Sequence, residues 1–173
     1  QGLTIAMAPF DSLKTIVPDE VIQSFEIVWH NLGKPGAWWT GQQRIQIAQE
    51  VRNSSQPTLV ERVNDLSKYS HQETESLSPY VRAVVRKIAY ESSTIDRDAY
   101  DRIVDVLGQD RYAELAAIVT QVVPVFTLAD ILGYPREKLP NAHDGAPTKE
   151  RPEDLVNDVA FLPTFSPRGL PHV

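Results

Sequence analysis

The chain has 173 residues, a net charge of -6 and no cysteine, the length of one domain able to bury about 70% of its unfolded surface. Without cysteine, disulfides, thiolate metal sites and cysteine nucleophiles are excluded. Acidic and basic residues are interspersed, so there is no cationic stripe for nucleic acid and no basic amphipathic face for a membrane.

Neither nucleic acid nor a membrane is therefore expected as a partner. No apolar run is expected to approach the roughly 20 residues of a spanning helix. Gln1-Gly2-Leu3-Thr4 lacks the basic start of a signal peptide, although a chain opening on Gln1 leaves a removed leader open. The expected location is cytoplasmic.

In chain order, Val21, Ile22, Phe25, Val28, Trp29 and Leu32 recur at helical spacing after Pro18-Asp19-Glu20, predicting a helix that ends near Gly33. Lys34-Pro35-Gly36 is a turn. Thr40-Gly41-Gln42-Gln43 has the form of a capping box and opens a second helix to about Asn53. Ser54-Ser55-Gln56-Pro57 breaks it, and Thr58-Leu59-Val60-Glu61 opens a short helix whose face is Leu59, Val60, Val63 and Leu66.

Residues 68–77 read as a loop or frayed helix end. Ser78-Pro79 then caps a helix with Val81, Val84, Val85 and Ile88 inward. Asp96 caps the next, which buries Tyr100, Ile103, Val104 and Leu107 and stops at Gly108. The longest apolar element runs from Arg111 to Leu132, and Pro124 inside it predicts a kink or a split. No segment longer than four residues alternates like a strand, so the class is all-α.

More than half of the 13 prolines fall after residue 133. Residues 1–133 are thus read as a helical domain and 134–173 as a proline-rich, irregular arm. Leu155, Val156, Val159, Phe161, Leu162 and Phe165 are apolar enough to need covering. The arm is expected to lie on the core or on a neighbouring subunit, with residues 153–165 placed across a subunit boundary.

Pro57-Thr58-Leu59-Val60, with Trp38-Trp39-Thr40 upstream and Val122-Val123-Pro124-Val125-Phe126 downstream, resembles the AhpD-like superfamily of alkylhydroperoxidase and carboxymuconolactone decarboxylase relatives. The resemblance implies a bundle of six or more helices that assembles as a homo-oligomer. In the peroxide-reducing relatives a Cys-x-x-Cys pair opens a helix, where the thiol is activated. Pro57 and Val60 stand at those two positions here. The family's acidic residue and histidine fall near Gln43, or Glu50 if the register differs by a turn, and at Asn64. The thiol chemistry and its proton relay are both missing.

Gln43, Glu50, Pro57, Val60, Asn64, Thr120 and Thr127 are accordingly the candidates for lining a pocket. Each has a plainer reading. Capping explains Gln43 in full, Asn64 sits on a short amphipathic helix, and Thr120, Gln121 and Thr127 can satisfy carbonyls freed by Pro124. His71 is the candidate acid or base, a role set against simple exposure of a loop histidine. With Glu73 and Glu75 it forms a chance-level metal pattern, and no metal or cofactor is expected. His30 suits a helix C-terminus, His143 and His172 belong to the arm, and Trp38 and Trp39 read as core and interface anchors. Arg82, Arg86 and Lys87 read as a solvated face.

The functional expectation is a small organic molecule held in an inter-helix cavity and transformed, if at all, by cofactor-independent acid–base chemistry of lyase, decarboxylase or isomerase type. The alternatives are a silent scaffold or partner subunit and, third, a peroxidase working by a non-cysteine route.

Overall fold

A computed structural model describes residues 9–54, 65–72, 76–153, 155–156 and 164–165. Among them are five α-helices: α1 (Asp19–Leu32), α2 (Gly41–Asn53), α3 (Pro79–Glu91), α4 (Arg97–Leu107) and α5 (Gln109–Leu132). Two short 3-10 turns, Leu66–Lys68 and Ser92–Thr94, flank α3. The fold is all-α. The helix expected over Thr58–Leu66 lies almost wholly outside the described residues.

Local chemistry sets the helix ends. At α2 the Thr40 hydroxyl accepts from the Gln43 N–H at 3.2 Å, and the Gln43 side chain accepts from the Thr40 N–H at 3.1 Å. Ser78 Oγ accepts from the Val81 N–H at 3.2 Å, with Pro79 in the first turn where no donor is needed. Asp96 Oδ1 accepts from the Ala99 N–H at 2.8 Å. Gly108 separates α4 from α5 with a φ of 81°, and Gly133 closes α5 in the left-handed region.

α5 is the central element and touches all four other helices. Leu115, Ile118, Val119, Val122, Val125, Phe126 and Ala129 form its buried face. Between Glu114 and Asp130 it carries no charge. By length and composition it is apolar enough to cross a membrane, with a mean hydropathy of 2.0 over an 18-residue window, which corrects the expectation that no such run exists. Thr120, Gln121 and Thr127 are too mild to offset the valines and alanines around them, and the helix packs as the core of the bundle.

Of the kink or split expected at Pro124, the split does not occur: α5 is continuous through it. Thr120, Pro124 and Thr127 are all exposed, so the carbonyl that loses its helical donor sits on the face where water can replace it.

The core takes in Phe10, ahead of α1, through aromatic contacts. Phe10, fully buried, packs on Trp29 at 5.1 Å and Phe25 at 5.7 Å, and Trp29 reaches Phe126 at 5.8 Å. Trp39 is fully buried, donates to the Arg111 carbonyl at 3.0 Å and lies beneath its guanidinium.

Residues 134–153 contain no helix or strand, yet they are tied to their own chain. Glu137 accepts from the Phe10 N–H, the Lys138 carbonyl accepts from Trp29 Nε1, and the amides of His143, Thr148 and Lys149 donate to the carbonyls of Gly33, Gly36 and Ala37. The crossing requires glycine. A Cβ on Gly33 would lie 2.2 Å from the Asn141 carbonyl oxygen, and one on Gly41 would lie 2.6 Å from that of His143. Beyond residue 153, Leu155–Val156 pairs antiparallel with Thr164–Phe165. Val159, Phe161 and Leu162, named above as needing cover, lie outside the described residues.

Candidate functional site

A cavity of about 600 Å³ opens between residues 65–72, α3, the turn Ser92–Thr94 and α4. This is within the roughly 300–1,000 Å³ of ordinary small-molecule sites. Two helical stripes build it. On α3, Tyr80, Lys87 and Glu91 stand seven and four residues apart on a second face, while Val81, Val84, Val85 and Ile88 turn to the core. On α4, Ala99, Arg102 and Val106 follow the matching three- and four-residue spacing.

Among the described residues, 65–72 form a further wall, with Thr94 and Asp96 beside them. Asp65 caps the 3-10 turn Leu66–Lys68, accepting from the Ser67 N–H at 3.0 Å and from Ser67 Oγ at 2.6 Å. The hydroxyl bond, then the amide bond, holds the Asp65 carboxyl below the usual range, helped by the charges of Lys68 and Arg102. The Tyr80 N–H donates to the Ser70 carbonyl at 3.1 Å, fixing the wall to the start of α3.

His71 stands at the mouth of this cavity, its ring meeting that of Tyr80 edge-on with centroids 4.5 Å apart. Tyr80 is 2% exposed. Burial raises its phenol pKa, partly opposed by the Arg102 charge, so the hydroxyl stays protonated and able to donate.

The other candidates lie elsewhere. Gln43 is occupied as the cap of α2. Glu50 accepts from Arg82 at 3.0 Å and Arg86 at 3.2 Å, joining α2 to α3. Thr120 is exposed and donates back to the Ala116 and Ala117 carbonyls, and Thr127 is exposed on the same outer face. Pro57, Val60 and Asn64 lie outside the described residues, as do Glu73 and Glu75.

The solvated face read for Arg82, Arg86 and Lys87 needs correction. The two arginines clamp Glu50, and Lys87 is buried at 7% exposure beside Glu91. Sequence reasoning also passed over Tyr80, Glu91, Thr94 and Arg102. The available signal was the spacing Tyr80, Lys87, Glu91, a second polar stripe on a helix already assigned an apolar one. Searches against family models, curated proteins and solved structures found no match to this chain.

Proposed function

We propose that the chain is a divergent AhpD-like protein without thiol peroxidase chemistry, which binds a small organic molecule in the cavity between α3, α4 and residues 65–72 and acts on it by acid–base chemistry. The observation that carries the reading is the cavity itself, sized for a small molecule and bearing His71 against Tyr80 at its mouth. His71 is the group placed to take a proton from the ligand. The protonated Tyr80 hydroxyl is the donor for an oxygen on which the resulting charge collects. The AhpD-like part of the proposal rests on the tryptophan pair, the Val122–Phe126 match and the all-α bundle.

The test is a chemical-shift titration of the full chain with uncharged, phenyl-sized fragments. Shifts gathered on residues 65–72, 80, 87, 91 and 99–106 support the reading. Fragments at millimolar concentration that leave those amides unmoved would refute it. For a turned-over ligand, His71→Asn should abolish the rate and retain binding.

A second reading, a scaffold subunit, is favoured by the outer face of α5, which is uncharged between Glu114 and Asp130 and ends in Ile131 at 75% exposure. Under that reading, Ile131→Glu lowers the mass measured by light scattering. An unchanged mass would remove this face from the account.

A further inference from the structure

A second cavity, of about 500 Å³, lies between α1 and residues 137–141, with Pro9 also in its lining. Its volume is again that of a small-molecule site. Three stretches far apart in the sequence meet there, and contacts within the fold fix them to one another. The Trp29 indole N–H donates to the Lys138 carbonyl at 2.9 Å, the Phe10 N–H donates to Glu137 Oε2 at 3.0 Å, and Leu139 is 9% exposed. The walls therefore need no ligand to hold them in place.

The polar side chains of this lining fall into two groups. Both carboxylates are already engaged: Glu26 pairs with Lys14 at 3.3 Å, and Glu137 takes an N–H on each oxygen, from Phe10 at 3.0 Å and from Lys138 at 3.2 Å. The Lys138 ammonium, the His30 ring and the Asn141 side-chain amide are not. Among the described residues no hydrogen bond or ion pair occupies any of the three, and all belong to exposed residues. An ammonium can only donate, and the amide NH2 and the protonated ring nitrogen of a histidine donate as well. The cavity thus offers donors, one of them a full positive charge, beside the apolar surfaces of Trp29, Leu139 and Pro140.

We infer that this cavity is a second ligand site, which takes a small carboxylic acid with its apolar body against Trp29, Leu139 and Pro140 and its carboxylate on Lys138, where Asn141 or His30 adds a further donor. Hydrogen bonds between ions are stronger than those between neutral groups, so the carboxylate gains more from Lys138 than an amide of the same shape does. An ammonium finds only Glu26 and Glu137, whose oxygens already serve Lys14 and two backbone N–H groups. Lys138 is exposed, so water and salt screen the contact and the gain is modest. Among the described residues none lines both this cavity and the one between α3 and α4, so the inference does not rest on the function proposed above.

The experiment uses three probes on one skeleton, phenylacetate, 2-phenylacetamide and 2-phenylethylammonium, titrated into the full chain at neutral pH and followed by backbone amide and indole N–H chemical shifts. Phenylacetate is expected to move the Trp29 indole N–H and the amides of residues 137–141, and to bind there about three- to tenfold more tightly than the amide probe. Raising the salt concentration should shrink that advantage. Lys138→Gln, which alters an exposed side chain and keeps the carbonyl that Trp29 uses, should remove the advantage and leave the binding of 2-phenylacetamide unchanged. Phenylacetate that binds this cavity no more tightly than the other two probes, or that keeps its advantage in Lys138→Gln, overturns the inference. So does an absence of shifts here at millimolar concentration, and if the shifts then gather on α3 and α4 instead, the reading of that other cavity still stands.

Discussion

Removing the Glu114 carboxylate should be among the most damaging single changes away from the apolar core. Glu114, on α5, accepts from the Trp38 N–H at 2.6 Å and pairs with the Arg44 guanidinium of α2. The Glu114 side chain is 13% exposed and that of Arg44 is 16% exposed, so little solvent screens the pair. The carboxylate therefore joins three segments: the turn before α2, α2 itself and α5. Glu114→Ala leaves the Trp38 amide without this acceptor and the arginine without its counter-charge. Hydrogen bonds to charged groups contribute about 1.5–3 kcal/mol, and stranding one member of a buried pair costs about 3–5 kcal/mol. These overlap, and Arg44 Nε keeps its bond to the Leu32 carbonyl at 3.2 Å, so we expect a loss of about 3–4 kcal/mol. Glu114→Gln retains an acceptor for Trp38 and should lose about 2 kcal/mol.

The assay is urea denaturation with an unchanged slope, supported by thermal melting, where each kcal/mol corresponds to roughly 2–4 °C for a chain of this size. The double mutant Arg44→Met/Glu114→Gln should lose less than the sum of the single losses, by about 1–3 kcal/mol. A loss below about 1 kcal/mol for Glu114→Ala, or strict additivity in the cycle, would refute the reasoning.

Pro124→Ala restores a donor to the Thr120 carbonyl on an exposed face, so stability should rise, by at most about 3 kcal/mol in the same denaturation assay; a loss would mean the ring is held by packing. The Asp130 carboxyl is held below the usual range chiefly by its bond from Arg136. With the folded pKa depressed, its contribution to stability is present above the unfolded aspartate value and is lost as pH falls through the lower folded one. A carboxyl NMR titration should show the low midpoint, and Arg136→Gln should move it up; a midpoint unmoved by that change would exclude Arg136 as the cause. Organic hydroperoxide with a thiol donor should be consumed at the protein-free rate, because the chain has no cysteine to form a thiolate; clear turnover would contradict the absence of this chemistry.

The helices were legible in the sequence because their signals are local. Thr40 and Gln43, Ser78 with Pro79, Asp96, Gly108 and Gly133 act on backbone groups within a turn of themselves, and the apolar stripe of α3 follows from 3.6-residue periodicity. The bond lost at Pro124 was equally legible, but whether the helix breaks there depends on which face meets water, and packing decides that. The cavity belongs to the same category. Tyr80, Lys87 and Glu91 form a second stripe that reads as solvated until α4 is laid beside it, and His71 is one exposed loop histidine until Tyr80 is found against its ring. Hydrogen bonds across four residues are written in a sequence of any length. The desolvation of a lysine, and the company a histidine keeps, arise from segments that meet only after the chain has folded, and the tertiary structure alone decides them.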